Sequence, residues 1–170
     1  MQNVCRLALA ISLSLSSATA LAEKKTVEET DLPVLTQEIQ HKKASQRISA
    51  TFSRQHYKKF MMDDALSSEI YDFYIKQLDY SKHVFLQSDV DSFEQYRKTF
   101  DDMFTSGKLN SAYEIYNVNV KRRFERYKYA LQVLETEIKF DSKEEYVFDR
   151  EDAKYATTEA ELNEIWRQRV

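Results

Sequence analysis

Proton transfer and metal ligation need histidines, cysteines or carboxylates held at short range. The three histidines here, His41, His56 and His83, are scattered along the chain. There is no H-E-x-x-H, and the one cysteine is Cys5; no carboxylate stands at ligand spacing from a histidine, so no metal site is expected. A single glycine, Gly107, excludes a phosphate-cradling loop or a dinucleotide fingerprint. Neither G-x-S-x-G nor S-x-x-K occurs. The acidic pairs Asp63-Asp64, Asp101-Asp102 and Glu144-Glu145 would point about 100° apart on a helix, which suits a solvated face better than acid–base work. No catalytic, metal-binding or cofactor-binding residue is assigned, and no cofactor is expected.

The remaining cluster is basic: Lys121, Arg122, Arg123, Arg126 and Lys128, interleaved with Phe124 and Tyr127. Nucleic-acid binding would need those aromatics free to stack on bases. Their spacing assigns them instead to a buried stripe, and a net charge of −3 gives no broad attraction to polyanions. Lys121, Glu125 and Lys128 are spaced to pair along a helix surface.

The element that positions this cluster runs from Ser111 to Ile138 without glycine or proline. Tyr113, Tyr116, Val120, Phe124, Tyr127, Leu131, Leu134 and Ile138 recur at steps of three and four, one face of a helix about 40 Å long. Ile115, Val118, Tyr129 and Val133 form a second row about 100° round. Arg122, Arg126 and Tyr129 share that second row, where they either bridge to a packed helix or face a partner. They are the candidate partner-surface residues.

With one glycine and one proline against ten Phe and eleven Tyr, the chain lacks the turn residues of a sheet protein. The expected fold is all-α: a helical domain around one long central helix, with an ordered irregular segment and an incomplete C-terminal helix. Ala44, Ile48 and Phe52 mark a first helix. Asp63 caps a second, whose apolar face is Leu66, Ile70, Tyr74 and Leu78. The stretch Asp79 to Gln87 breaks the period, and its Val84, Phe85 and Leu86 are expected to plug the core. Ser88-Asp89-Val90-Asp91 resembles a capping box opening a helix with Phe93, Tyr96, Phe100 and Met103. Gly107 suits a left-handed C-cap, and Asn110 caps the central helix. Lys139 to Thr157 reads as an ordered wrapping loop. Thr158 to Glu161 is a second capping box, and Leu162, Ile165 and Trp166 follow on the apolar side of a helix with no stop signal before Val170. That open pattern predicts a piece of something longer, with this helix completed by residues outside the sequence.

Met1 to Ala22 carries Arg6, the apolar run Leu7 to Leu15 and Ala20-Leu21-Ala22, the three parts of a secretory signal peptide. Cleavage is expected between Ala22 and Glu23, leaving no stable membrane span. Residues 23–32 read as a mobile leader and 33–170 as the helical domain, incomplete at its C-terminal end. Once Cys5 is removed no disulfide is possible, and the chain is long enough to form its own core without one.

Several runs carry a resemblance: VKRRFERYKYALQVLE (Val120 to Glu135), LDYSKHVFLQSDV (Leu78 to Val90), SGKLN (Ser106 to Asn110), and EAELNEIW (Glu159 to Trp166) after Asp149-Arg150. In this order they closely resemble the tail-specific, carboxy-terminal processing proteases of the Gram-negative periplasm. The resemblance implies the N-terminal helical region of a periplasmic serine endopeptidase. A PDZ domain and a protease domain with a Ser and Lys pair then follow in the parent, cutting exported proteins near apolar C-terminal tails. It also suggests a lipoprotein adaptor of helical repeats as a partner; the expected burial of Phe124 and Tyr127, export and the net charge already argue against nucleic acid. No catalytic or PDZ residue of that family falls on these positions. The alternative is a stand-alone helical binding module without enzymatic activity.

Overall fold

Polar caps and one glycine set the helix boundaries. The computed structural model describes residues 27–57, 61–137 and 143–170. The signal-peptide region and its expected cleavage point lie outside those residues. Six helices are described: α1 (Ile39–Gln55), α2 (Asp64–Leu78), α3 (Gln87–Phe93), α4 (Phe100–Ser106), α5 (Asn110–Leu134) and α6 (Glu159–Arg169). Single 3-10 turns cover Glu29–Asp31 and Glu94–Tyr96. No strand occurs among the described residues, only an isolated parallel bridge between Leu86 and Ala156. The fold is all-α.

Asp63 caps α2 as expected, its Oδ1 accepting from the Leu66 N–H at 3.0 Å. Thr158 Oγ1 accepts from the Glu161 N–H at 3.2 Å, but the Glu161 carboxylate reaches back to the Thr157 N–H (2.7 Å) and hydroxyl (2.9 Å) rather than to Thr158. The box at Ser88 is shifted: α3 begins at Gln87, and Asp89 rather than Asp91 accepts from the Leu86 N–H at 3.0 Å. Asn110 makes no capping bond. The N–H before it, that of Leu109, is taken by Gln37 Oε1 at 2.7 Å.

Gly107 ends α4 in the left-handed region at φ 71°, and a Cβ there would lie 2.7 Å from Lys42 Cγ and 2.9 Å from the Lys42 carbonyl oxygen. Glycine is thus required both by conformation and by the approach of α1. Glutamines of the α1 side then satisfy the open carbonyls: Gln37 Nε2 donates to Gly107 O at 2.5 Å and Gln46 Nε2 to Ser106 O at 3.0 Å.

Two apolar clusters make the core. Tyr71, Ile75, Phe85, Phe93, Phe100, Met103 and Ile115 form the larger; Leu86, Ala156, Leu162 and Trp166 form the second. The most apolar stripe of a helix is not always the buried one. α1 buries Ser45 and Ser49 while Ile48 and Phe52 stay about half exposed, and α2 buries Ser67, Tyr71 and Ile75 most deeply, with Ile70, Tyr74 and Leu78 of the expected row partly buried against the larger cluster. Serine lets helices approach and supplies a hydroxyl to stray carbonyls. Ser45 donates to Phe104 O at 3.0 Å, and Ser67 donates to Arg97 O at 2.9 Å while accepting from the Phe100 N–H at 2.8 Å.

α5 is shorter than its apolar pattern, stopping at Leu134; Ile138 lies outside the described residues. The apolar side of α6 is packed within the chain. Leu162 is 1% exposed and Trp166 6%, both covered from within the chain.

Candidate docking surface

The candidate residues Arg122, Arg126 and Tyr129 do share one row of α5, and the fold turns that row inward. Arg122 clasps Asp89 at the start of α3, Nε to Oδ2 at 2.8 Å and Nη2 to Oδ1 at 2.9 Å, and reaches Glu125 at 3.0 Å. These bonds raise its pKa above the ordinary arginine value. Arg126 is 5% exposed and donates to Asn163 Oδ1 of α6 at 2.5 Å, and burial pushes its pKa down. Tyr129 packs on the second apolar cluster. Of the two readings of this row, bridging to packed elements describes Arg122 and Arg126, whose charges are engaged by α3 and α6.

The face expected to be buried is open over its C-terminal half, while Tyr113, Val120 and Phe124 are partly buried. Tyr127, Leu131 and Leu134 are 55%, 54% and 55% exposed. Tyr127 is therefore not tied up in a core, although its ring meets Trp166 edge-on at 5.8 Å between centroids. The N-terminal half of α5 is crossed by residues 28–38. Glu29 pairs with Lys121 at 2.7 Å, Glu28 with Lys128 at 3.9 Å, and Asn117 forms a two-way bond with the Leu35 backbone, both arms 2.9 Å. These contacts replace the expected Lys121–Glu125–Lys128 ladder, and they tie the described end of the supposed leader to the domain. A second apolar hollow of about 260 Å³ opens between α1, α2 and α4, lined by Ile48, Phe52, Leu66, Ile70 and Phe104.

Between α2 and α3 the chain is irregular and deeply buried. Asp79 is 3% exposed, and its carboxylate accepts from three backbone N–H groups: His83 at 3.0 Å and Val84 and Phe85 at 2.9 Å each. Lys82 takes φ 49° to make this turn. Asn119 and Arg123 of α5 both donate to Leu78 O, at 3.2 and 2.8 Å, and Trp166 Nε1 donates to His83 O at 2.6 Å. Val84, Phe85 and Leu86 fill the core as expected. Sequence reasoning missed Asp79, Asn119 and Arg123, since a carboxylate at a helix end and polar residues inside a charged run carry no signal of burial.

The groups that could do chemistry stay dispersed. His41 Nδ1 lies 2.6 Å from the Tyr113 hydroxyl, His56 stacks on Phe52, and His83 meets Trp166 edge-on. Asp64 pairs with Lys98 at 3.6 Å and Glu144 with Arg167 at 2.8 Å, whereas Asp101 is 8% exposed, not solvated as its pair was read. Among the described residues no group of three His, Cys, Asp or Glu side chains could hold a metal ion. What the arrangement offers is surface: two open apolar faces on a polar-braced helical frame.

Comparison with known proteins bears on what that surface is for. Residues 48–170 match the family described as the tail specific protease N-terminal domain. A tail-specific protease of Haemophilus influenzae is 38% identical over 170 residues, a match covering 98% of this chain and 24% of that protein. The chain thus spans about a quarter of the length of this curated relative.

Proposed function

We propose, from the premise that the chain belongs to the tail specific protease N-terminal domain family, that it is the helical scaffold and docking region of a periplasmic carboxy-terminal processing serine endopeptidase. The observation that carries the docking role is the pair of apolar faces left open on α1 and α5. Half-exposed Ile48, Phe52, Tyr127, Leu131 and Leu134 would gain from burial against another surface, at about 25 cal/mol per Å² of apolar area removed from water. In this reading the Ser–Lys pair and the tail-binding PDZ domain belong to the rest of the parent chain, which trims or degrades exported proteins from apolar C-terminal tails. A lipoprotein adaptor of helical repeats is the proposed partner. Placement in the periplasm is supported by the three-part leader, and no described helix is long and apolar enough to cross a membrane.

Proteolysis by serine needs a nucleophile, a base within about 3 Å and oxyanion donors. The test is degradation of an unstructured reporter with an apolar tail by this chain, by the full-length parent, and by the parent with adaptor and excess chain. The chain alone should leave the reporter intact. Its excess should slow adaptor-dependent degradation by the parent. Turnover that copurifies with the chain, or no competition at any excess, overturns the reading.

A further inference from the structure

Among the described residues one arginine is buried, Arg126, and it makes no ion pair. Arg97, Arg122 and Arg167, all more exposed, each hold a carboxylate within 3 Å. A cation taken out of water without a counter-charge is unfavourable. Arg122, one turn earlier on α5, lays one edge of its guanidinium on Asp89, with Nε and Nη2 each on one carboxylate oxygen at 2.8 and 2.9 Å. Arg126 uses only its other corner: Nη1 donates to Asn163 Oδ1 at 2.5 Å. Its Nε is enclosed with no hydrogen-bond partner, and its Nη2 is unbonded among the described residues but not enclosed.

That guanidinium lines a hollow of about 360 Å³ between α5, α6 and the crossing segment at Glu28 and Glu29. The acids in its wall are taken by other bases: Glu29 by Lys121 at 2.7 Å, Glu125 by Arg122 at 3.0 Å and Glu28 by Lys128 at 3.9 Å. Asn163 and the Tyr129 ring, whose centroid lies 5.9 Å from Arg126 Cζ, hold the guanidinium in place. A buried cation with an unpartnered edge, facing a hollow, is a site for an anion.

We propose that Arg126 seats a single carboxylate in this hollow, donating from Nη2 and, after a small turn of the guanidinium, from Nε, as Arg122 does to Asp89. The parallel N–H groups of that edge match a carboxylate fork. The ligand carries one charge, because Glu28, Glu29 and Glu125 repel any surplus, and a phosphate dianion is disfavoured on that ground. A small acid in solution and an acidic side chain of a polypeptide offer the same fork, and the arms of the test separate them. The seat rests on the hollow and the unpartnered edge, not on the docking reading.

The whole chain, isotope-labelled, is titrated at constant ionic strength with sodium acetate, with a capped hexapeptide carrying one Asp, with its Asn counterpart and with inorganic phosphate. NMR follows the Arg126 Nε–Hε resonance and the amide of Gln132, which lines the same hollow. Acetate and the Asp peptide should shift both to saturation; the Asn peptide and phosphate should not. Peptide binding about tenfold or more tighter than acetate assigns the seat to a polypeptide, and equal binding assigns it to a small acid. Arg126→Gln should abolish the response at Gln132. Asn163→Asp supplies a carboxylate from within the fold, and should weaken both ligands about tenfold or more, some 1.4 kcal/mol, while raising the urea midpoint. Arg47→Gln on α1 should change neither. Circular dichroism checks the fold of each variant, and if Arg126→Gln does not fold, Asn163→Asp carries the comparison.

No saturable shift with either carboxylate, or one that the folded variants leave unchanged, overturns the seat. Phosphate binding as tightly as acetate overturns the limit to one charge. Failure of the docking reading would show separately, as absence of competition in the protease assay with acetate binding intact.

Discussion

The irregular connection from Asp79 to Leu86 and the long regular helix α5 invert the usual relation between order and burial. The connection has no repeating hydrogen bonds, yet Asp79, Val84, Phe85 and Leu86 are 3%, 1%, 0% and 7% exposed. α5 has 25 residues, and only Ile115, Asn119 and Arg126 are buried. A helix satisfies its own backbone and can stand with one side in solvent. An irregular segment has to find partners for each N–H and C=O, and here Asp79, Asn119, Arg123 and Trp166 provide them. Stability is therefore concentrated in the connection, and α5 lends its side chains to it.

The sharpest test empties the connection. Phe85→Ala should cost about 3–5 kcal/mol, the range for removing a fully buried phenylalanine, read as a lower urea midpoint. Removing the carboxylate should come next. Asp79→Ala strands three N–H groups, those of Val84 and Phe85 buried, at a cost of about 2–3 kcal/mol, and hydrogen exchange at His83, Val84 and Phe85 should accelerate more than at the amides of α5.

A smaller effect is expected from pH. Burial holds the His83 imidazole below its ordinary value of 6.5, against the pull of Asp79 and with help from Arg169, Arg123 and Arg150. The unfolded chain therefore takes up this proton first. The stability that neutral His83 contributes is present above pH 6.5 and falls as pH drops below it. Denaturation midpoints of the native chain should decline over that window more steeply than those of His83→Gln; parallel slopes would mean that His83 is not held neutral by the fold.

The least effect is expected on the open face of α5. Leu131→Ala, at 54% exposure, should stay within about 0.5 kcal/mol. A loss as large as that of Phe85→Ala would place Leu131 in a core after all and erase the contrast between the two regions.

What the sequence determined by itself was local. Asp63 and Thr158 cap helices because a side-chain oxygen needs only the next turn's N–H, and Gly107 stops α4 because few other residues take a left-handed turn at low cost. The breakdown of helical period at Asp79 and the apolar run Val84 to Leu86 likewise announced a core plug. Which face each helix buries was decided only in three dimensions. The stripe through Tyr127, Leu131 and Leu134 and the neighbouring row through Ile115 and Val118 are both apolar enough to pack. The choice fell to the row whose Arg122 meets Asp89 and whose Asn119 meets Leu78 O, partners 33 and 41 residues away. Apolar burial has no direction of its own, so two comparable stripes are separated by which one also satisfies the polar groups it covers. The meeting of Trp166 with His83 is of the same kind, because no periodicity links residues that only the packing of α6 brings together.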